Sequence, residues 1–170
     1  MKKREVFENF KDDVFKTCFY MVNNYQDAED LTQDVFIKAF DKDIDSIENM
    51  KAWLIKISIN TSKNYLKRKN RFNLFENLTH LVSNLNVEKE ISNSETKDEL
   101  VSLINTLSPK LREAIILRYV HQMKVEEIAK TLGIPVGTVK SRIHKGISNM
   151  KHKTNSKYAQ QLMEGNLDEY

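Results

Sequence analysis

The residues of this sequence that can do chemistry do it without making covalent bonds. His80, His121, His144 and His152 are scattered, and no pair falls at metal-ligand spacing. The single cysteine, Cys18, sits in the apolar run from Val14 to Tyr20 and reads as a small core residue. No glycine-rich phosphate loop and no nucleophile motif occurs. What recurs instead is cations and short hydrogen-bond donors at helical spacing. Thr138, Lys140, Ser141, Arg142, His144 and Lys145 form one such set. Long cations and short hydroxyls near a helix N-terminus are what a major groove takes for phosphates and base edges. His144 taken singly reads as a plain surface residue. A second set, Asn60, Lys63, Asn64, Lys67 and Arg68, interleaves amides with cations. Cations so grouped suit a nucleic-acid backbone. A third set is acidic: Asp27, Glu29, Asp30, Gln33 and Asp34. Beside an apolar edge it fits a basic helical partner; taken alone, a solvated acidic face is the plainer reading.

Composition decides what can position these sets. The 170 residues allow one ordinary domain or two small ones. With 4 Gly and 2 Pro there are few residues for hairpins, which favours an all-α chain. The net charge of +3 hides a pattern. Residues 63–71 carry five cations and no acid, and residues 108–153 carry ten against three acids. Between them, residues 73–100 carry six acids against two cations. Two basic modules joined by an acidic connector suit nucleic-acid binding at two places. No run of about 18 apolar residues exists and the N-terminus lacks a signal-peptide core, so the protein is expected in the cytoplasm without direct membrane insertion.

Apolar periodicity then supplies the elements. Val6, Phe7, Phe10, Val14, Cys18, Met21 and Val22 place a first helix over about 4–23. Ala28, Leu31, Val35, Phe36 and Phe40 define a second, opened by acids that suit a first turn. Ser46 or Asn49 can cap a third, over roughly 50–69, with Trp53 on its apolar stripe and a basic end. From about Phe72 to Ser94 the stripe is lost, which reads as a linker, either ordered on a partner or a loose tether. Leu100, Val101, Ile104 and Leu107 start a second module, and Ser108–Pro109 opens its next helix.

The stretch from Val125 to Met150 has the logic of a helix-turn-helix. Ile128, Ala129 and Leu132 give a short inner face, and small Ala129 permits close approach of a second helix. Gly133 supplies a left-handed helix end, and Ile134 plugs the turn. Val136, Val139, Ile143 and Ile147 then face inward, leaving the cationic set outside.

The residues LSPKLREAIILRYVHQMKVEEIAKTLGIPVGTVKSRIHKGISNMK resemble region 4 of the bacterial extracytoplasmic-function (ECF) sigma factors, group 4 of the sigma-70 family. The resemblance implies that the second helix of the motif binds the promoter −35 element and that this module contacts the flap of the polymerase β subunit. The segment from Asp27 to Phe40 independently resembles the sigma segment that grips the β′ coiled coil, which implies polymerase contacts by the acidic set. The segment from Lys51 to Lys69 is similar to the one that opens and reads the −10 element, which implies that role for the set from Asn60 to Arg68. Where the family often has Asp before a Tyr-Leu pair, this chain has Asn64.

The resulting expectation is an all-α protein of two small helical domains joined by a flexible linker. Residues 1–71 form sigma region 2, 72–95 the linker, 96–153 sigma region 4 with its helix-turn-helix, and 154–170 a polar tail. The expected function is promoter recognition, −10 melting and transcription initiation with core RNA polymerase. Promoter DNA and an anti-sigma factor are the other expected partners; no cofactor, small-molecule substrate or enzymatic activity is expected. The competing reading is a conventional helix-turn-helix regulator that binds DNA without polymerase.

Overall fold

The computed structural model describes residues 2–79 and 95–154. Among the described residues there are seven α-helices and no strand. They are α1 (Lys3–Val22), α2 (Tyr25–Phe40), α3 (Met50–Thr79), α4 (Glu95–Asn105), α5 (Pro109–Ile115), α6 (Val125–Leu132) and α7 (Val136–Lys151). A π-helical turn over Ile116–Val120 prolongs α5.

Helix ends follow the local chemistry. Asn23, in the left-handed conformation with φ 51°, closes α1, and the Asn24 side chain accepts the Asp27 N–H at 2.8 Å to open α2. Asn49, rather than Ser46, caps α3, accepting the Ala52 N–H at 3.0 Å. Ser46 instead donates to the Asp43 carbonyl. The Glu127 carboxylate reaches back to the Lys124 N–H at 2.7 Å to start α6, and Gly133 at φ 67° ends it. Helix α3 differs from expectation. It continues past Lys69 to Thr79, because nothing between Asn70 and Thr79 breaks a helix even though the apolar stripe is lost. Part of the expected linker is therefore helical, and residues 80–94 lie outside the described residues. So does the expected tail, apart from Thr154, which donates to Glu99 at 2.8 Å.

Helices α1, α2 and α3 pack on one another around Val14, Cys18, Leu31, Val35, Leu54, Ile55 and Ile59. In the second half α7 packs on α5 and α6. At Gly146 α7 lies tightly on α5: an added Cβ would lie 2.9 Å from Ile115 Cγ1. Val139, Ile143 and Ile147 face inward as their spacing predicts, and Ile134 packs at the turn. Val136 does not: as the first residue of α7 it is 38 % exposed. The halves are not separate beads. Helix α1 touches α4, α5 and the π-helical turn, and α3 touches α6.

Candidate nucleic-acid interface

Four-residue steps along α3 bring Asn60, Asn64 and Arg68 onto one ridge, all exposed. A cleft of about 580 Å³ lies along it, with Trp53 and Ile57 as apolar lining, Asn60 and Asn64 as amide edges, and Lys38 and Lys42 nearby. Trp53 thus packs against the core as its stripe predicts, while one surface of it reaches this cleft. A second cleft of about 520 Å³, bordered by Tyr65, Arg68 and Phe72, continues further along α3. Together they make a track of aromatic, amide and cationic groups of the kind that holds single-stranded nucleic acid. Lys67 is exposed beside the track. Lys63 is turned away, and its ammonium lies 2.8 Å from Glu113 in the other half.

On α2, Glu29, Asp30, Gln33 and Asp34 are exposed as two adjacent ridges, followed one turn on by Ile37, which is 69 % exposed. Asp27 does not join them. It accepts the Tyr65 hydroxyl at 2.6 Å and the Lys69 ammonium at 3.2 Å, so it ties α2 to the basic end of α3. The bond to Asp27 and, to a greater degree, burial push the Tyr65 phenol up.

On α7, Lys140, Ser141, His144 and Lys145 are exposed and Thr138 is half-buried at the entry to the helix. The Ser141 hydroxyl donates to the Thr138 carbonyl at 3.0 Å. Arg142 is withdrawn from this face, its guanidinium donating to Glu113 at 2.8 Å. Glu113, which sequence reasoning passed over, is 3 % exposed and holds one cation on each carboxylate oxygen, Arg142 on Oε1 and Lys63 on Oε2. Its signal in the sequence was faint, a lone acid within the apolar helix surface Leu111–Ile115 of a basic module.

Two other buried groups join the halves. The Arg112 guanidinium donates to the carbonyls of Met21, Asn105 and Leu107. Met21 lies in the last turn of α1, whose carbonyls have no partner within the helix and whose dipole end is negative, so a cation from the other half satisfies both. His121 places Nε2 2.8 Å from Thr17 Oγ1. Because the Thr17 hydroxyl proton goes to the Asp13 carbonyl, Nε2 of the histidine is the donor. Burial pushes His121 down to about 4, against the upward pull of Asp13. Cys18 is buried, and desolvation pushes its thiol up to about 11, as befits a core residue. None of the helices described is long and apolar enough to cross a membrane.

Known proteins match both halves in the same order. The family described as Sigma-70 region 2 matches residues 6–72, and Sigma-70, region 4, matches residues 97–150. The ECF RNA polymerase sigma factor SigW of Bacillus subtilis is 30% identical over 156 residues, covering 84% of this chain and 83% of that protein. The ECF RNA polymerase sigma-E factor of Escherichia coli is 36% identical over 142 residues, covering 75% and 73%. The solved structure of the sigma factor RpoE of Bartonella quintana, in complex with the anti-sigma factor NepR, shares the fold. Its TM-score is 0.69 at 24% identity, over 90% of this chain and 98% of that one. Family models for both halves and relatives matched over most of their length decide between a polymerase subunit and a free-standing regulator: the chain belongs to the ECF RNA polymerase sigma factors.

Proposed function

We infer that this chain docks on core RNA polymerase through α2, reads the −10 element along α3 and reads the −35 element through α7. The observation that supports this most is the Asp27 contact to Tyr65 and Lys69, which makes the acidic docking ridge and the strand-reading ridge parts of one rigid bundle. Residues 1–71 and 96–153 are the two working modules, with 72–95 between them. Glu29, Asp30, Gln33 and Asp34 face the β′ coiled coil, and the module of 96–153 faces the β flap. Asn60, Asn64, Lys67 and Arg68 line the melted strand, joined by Lys63 once it is released from Glu113.

At −35, Lys140, His144 and Lys145 supply phosphate and base-edge contacts, with Thr138 and Ser141 at the helix entry and Arg142 joining from the flank. Replacement of the family's frequent Asp by Asn64 changes the edge of the −10 cleft from acceptor-only to donor and acceptor, and so changes which base it prefers. The chain supplies location and strand separation while polymerase makes the bonds, and it works in the cytoplasm where polymerase is. An anti-sigma factor is its proposed regulator, as NepR is found on the Bartonella protein. Reconstitution with core RNA polymerase and mapping of transcription starts tests the reading. Defined starts absent from core enzyme alone are expected, and their absence overturns it.

A further inference from the structure

We propose that Val136, at the leading tip of α7, selects one thymine of the −35 element by touching its C5 methyl group. The proposal rests on the reading of α7 as the −35 helix and names a base contact within it. Val136 opens α7 and is 38 % exposed. Among the described residues of 95–154 it is the only large apolar side chain so exposed. Around it, the stretch from Gly133 to Gly137 carries no polar side chain. A single exposed valine is ordinary on a protein surface; the place and company of this one are not.

A recognition helix meets base edges in the major groove with its N-terminal residues. Nearly every feature of those edges is a hydrogen-bond donor or acceptor. The thymine methyl is the exception, and it takes only apolar contact. A tip without polar side chains is suited to that feature alone. Gly137 points the same way. Glycine is the poorest helix former after proline, yet nothing inside the chain requires it here. Its φ is not positive, and an added Cβ would meet nothing within 4 Å. The bare backbone beside Val136 leaves room for a base pair that reaches the valine from outside. Lys140 and His144, exposed at four-residue steps behind Val136, continue the row with hydrogen-bonding groups. The row therefore sets an apolar contact at the tip and polar contacts behind it.

The test uses holoenzyme reconstituted with the full chain, and promoter duplexes taken from mapped starts. Each thymine of the −35 element, on either strand, is replaced in turn by deoxyuridine, which lacks only the methyl. Wild-type holoenzyme is expected to lose about fourfold in affinity at one position, the effect of roughly one buried CH₂ (about 0.8 kcal/mol). Val136→Ser is expected to melt as wild type does and to bind the thymine and uracil duplexes alike. Val136→Ile, still apolar at the tip, is expected to keep the discrimination. No uracil-sensitive position in wild type overturns the assignment, as does equal sensitivity in Val136→Ser. A Val136→Ser chain that binds core polymerase more weakly but discriminates as wild type makes the residue a protein contact, which overturns it too. Scrambling the whole −35 element separates this contact from the wider reading. A cost from scrambling with none from uracil overturns the thymine contact alone; no cost from either sinks α7 as the −35 helix.

Discussion

The Tyr65 hydroxyl donates to the Asp27 carboxylate at 2.6 Å, joining the start of α2 to the middle of α3. This bond sits between the proposed polymerase surface and the proposed strand-reading track. Tyr65→Phe removes it while keeping the ring, and about 1 kcal/mol of stability should go with it. The larger expected effect is functional: affinity for core polymerase within twofold of wild type, but slower opening of the −10 region, read by permanganate reactivity of unpaired thymines.

Arg142 and Lys145 lie less than one turn apart and should fail differently. Arg142→Ala leaves Glu113 with one cation fewer in a buried place, which costs about 3 kcal/mol. A thermal melt should show that loss in the absence of DNA. Lys145→Ala should leave the melt unchanged, weaken holoenzyme binding to −35 duplexes of every sequence, and lower the salt slope by about one unit. Identical melts for the two variants would place Arg142 in the groove alone.

His121 makes the seam between the halves sensitive to acid. Its folded value of about 4 lies below the ordinary 6.5, so the unfolded or opened chain takes up the proton first as pH falls. The stability it contributes is complete above about pH 6.5 and is lost progressively down to about pH 4, about 3 kcal/mol in all. The groups facing it are Asp13, which is itself paired with Lys51 at 3.0 Å, and Lys16. His121→Gln keeps an N–H for Thr17 but cannot titrate. Its unfolding free energy should be flat between pH 6.5 and 5, where wild type declines and ordinary carboxylates are still ionised.

Gly146→Val tests the contact of α5 with α7. The new side chain meets Ile115, itself buried, at well under contact distance, so overpacking of about 1–3 kcal/mol is expected. A melting temperature equal to wild type would mean that α7 shifts freely.

What the sequence made legible was local. Asn49 was one of two caps open for α3. The helix end at Gly133, and stripes such as Val139–Ile143–Ile147, depend on neighbours within a turn or two and could be read directly. So could the acidic and basic ridges, whose four-residue spacing survives into the fold. What escaped were pairings across the chain. Nothing near Arg142 in sequence points to Glu113, and Asp27 looks like one more acid of α2 until Tyr65 arrives from another helix. Lys63 is indistinguishable from Lys67 by composition, yet its ammonium meets Glu113 in the other half while Lys67, one turn on, stays exposed. The extent of α3 was missed for a different reason. A helix can persist where its apolar stripe stops, and periodicity is silent there.

That extent changes the arithmetic of reach. From Asn64 to Thr79 the rod advances about 22 Å at 1.5 Å per residue. The fifteen residues of 80–94 can add at most about 50 Å of contour. Together they come to about 72 Å. That is short of the distance between promoter elements, about 85 Å for nominally about 25 steps of roughly 3.4 Å, so the breadth of the modules at either end must cover the rest. A stiff strut therefore gives up reach for direction: the residues from Asn64 to Thr79, if extended, would span about 50 Å, and as a helix they span about 22 Å along a line fixed by the bundle.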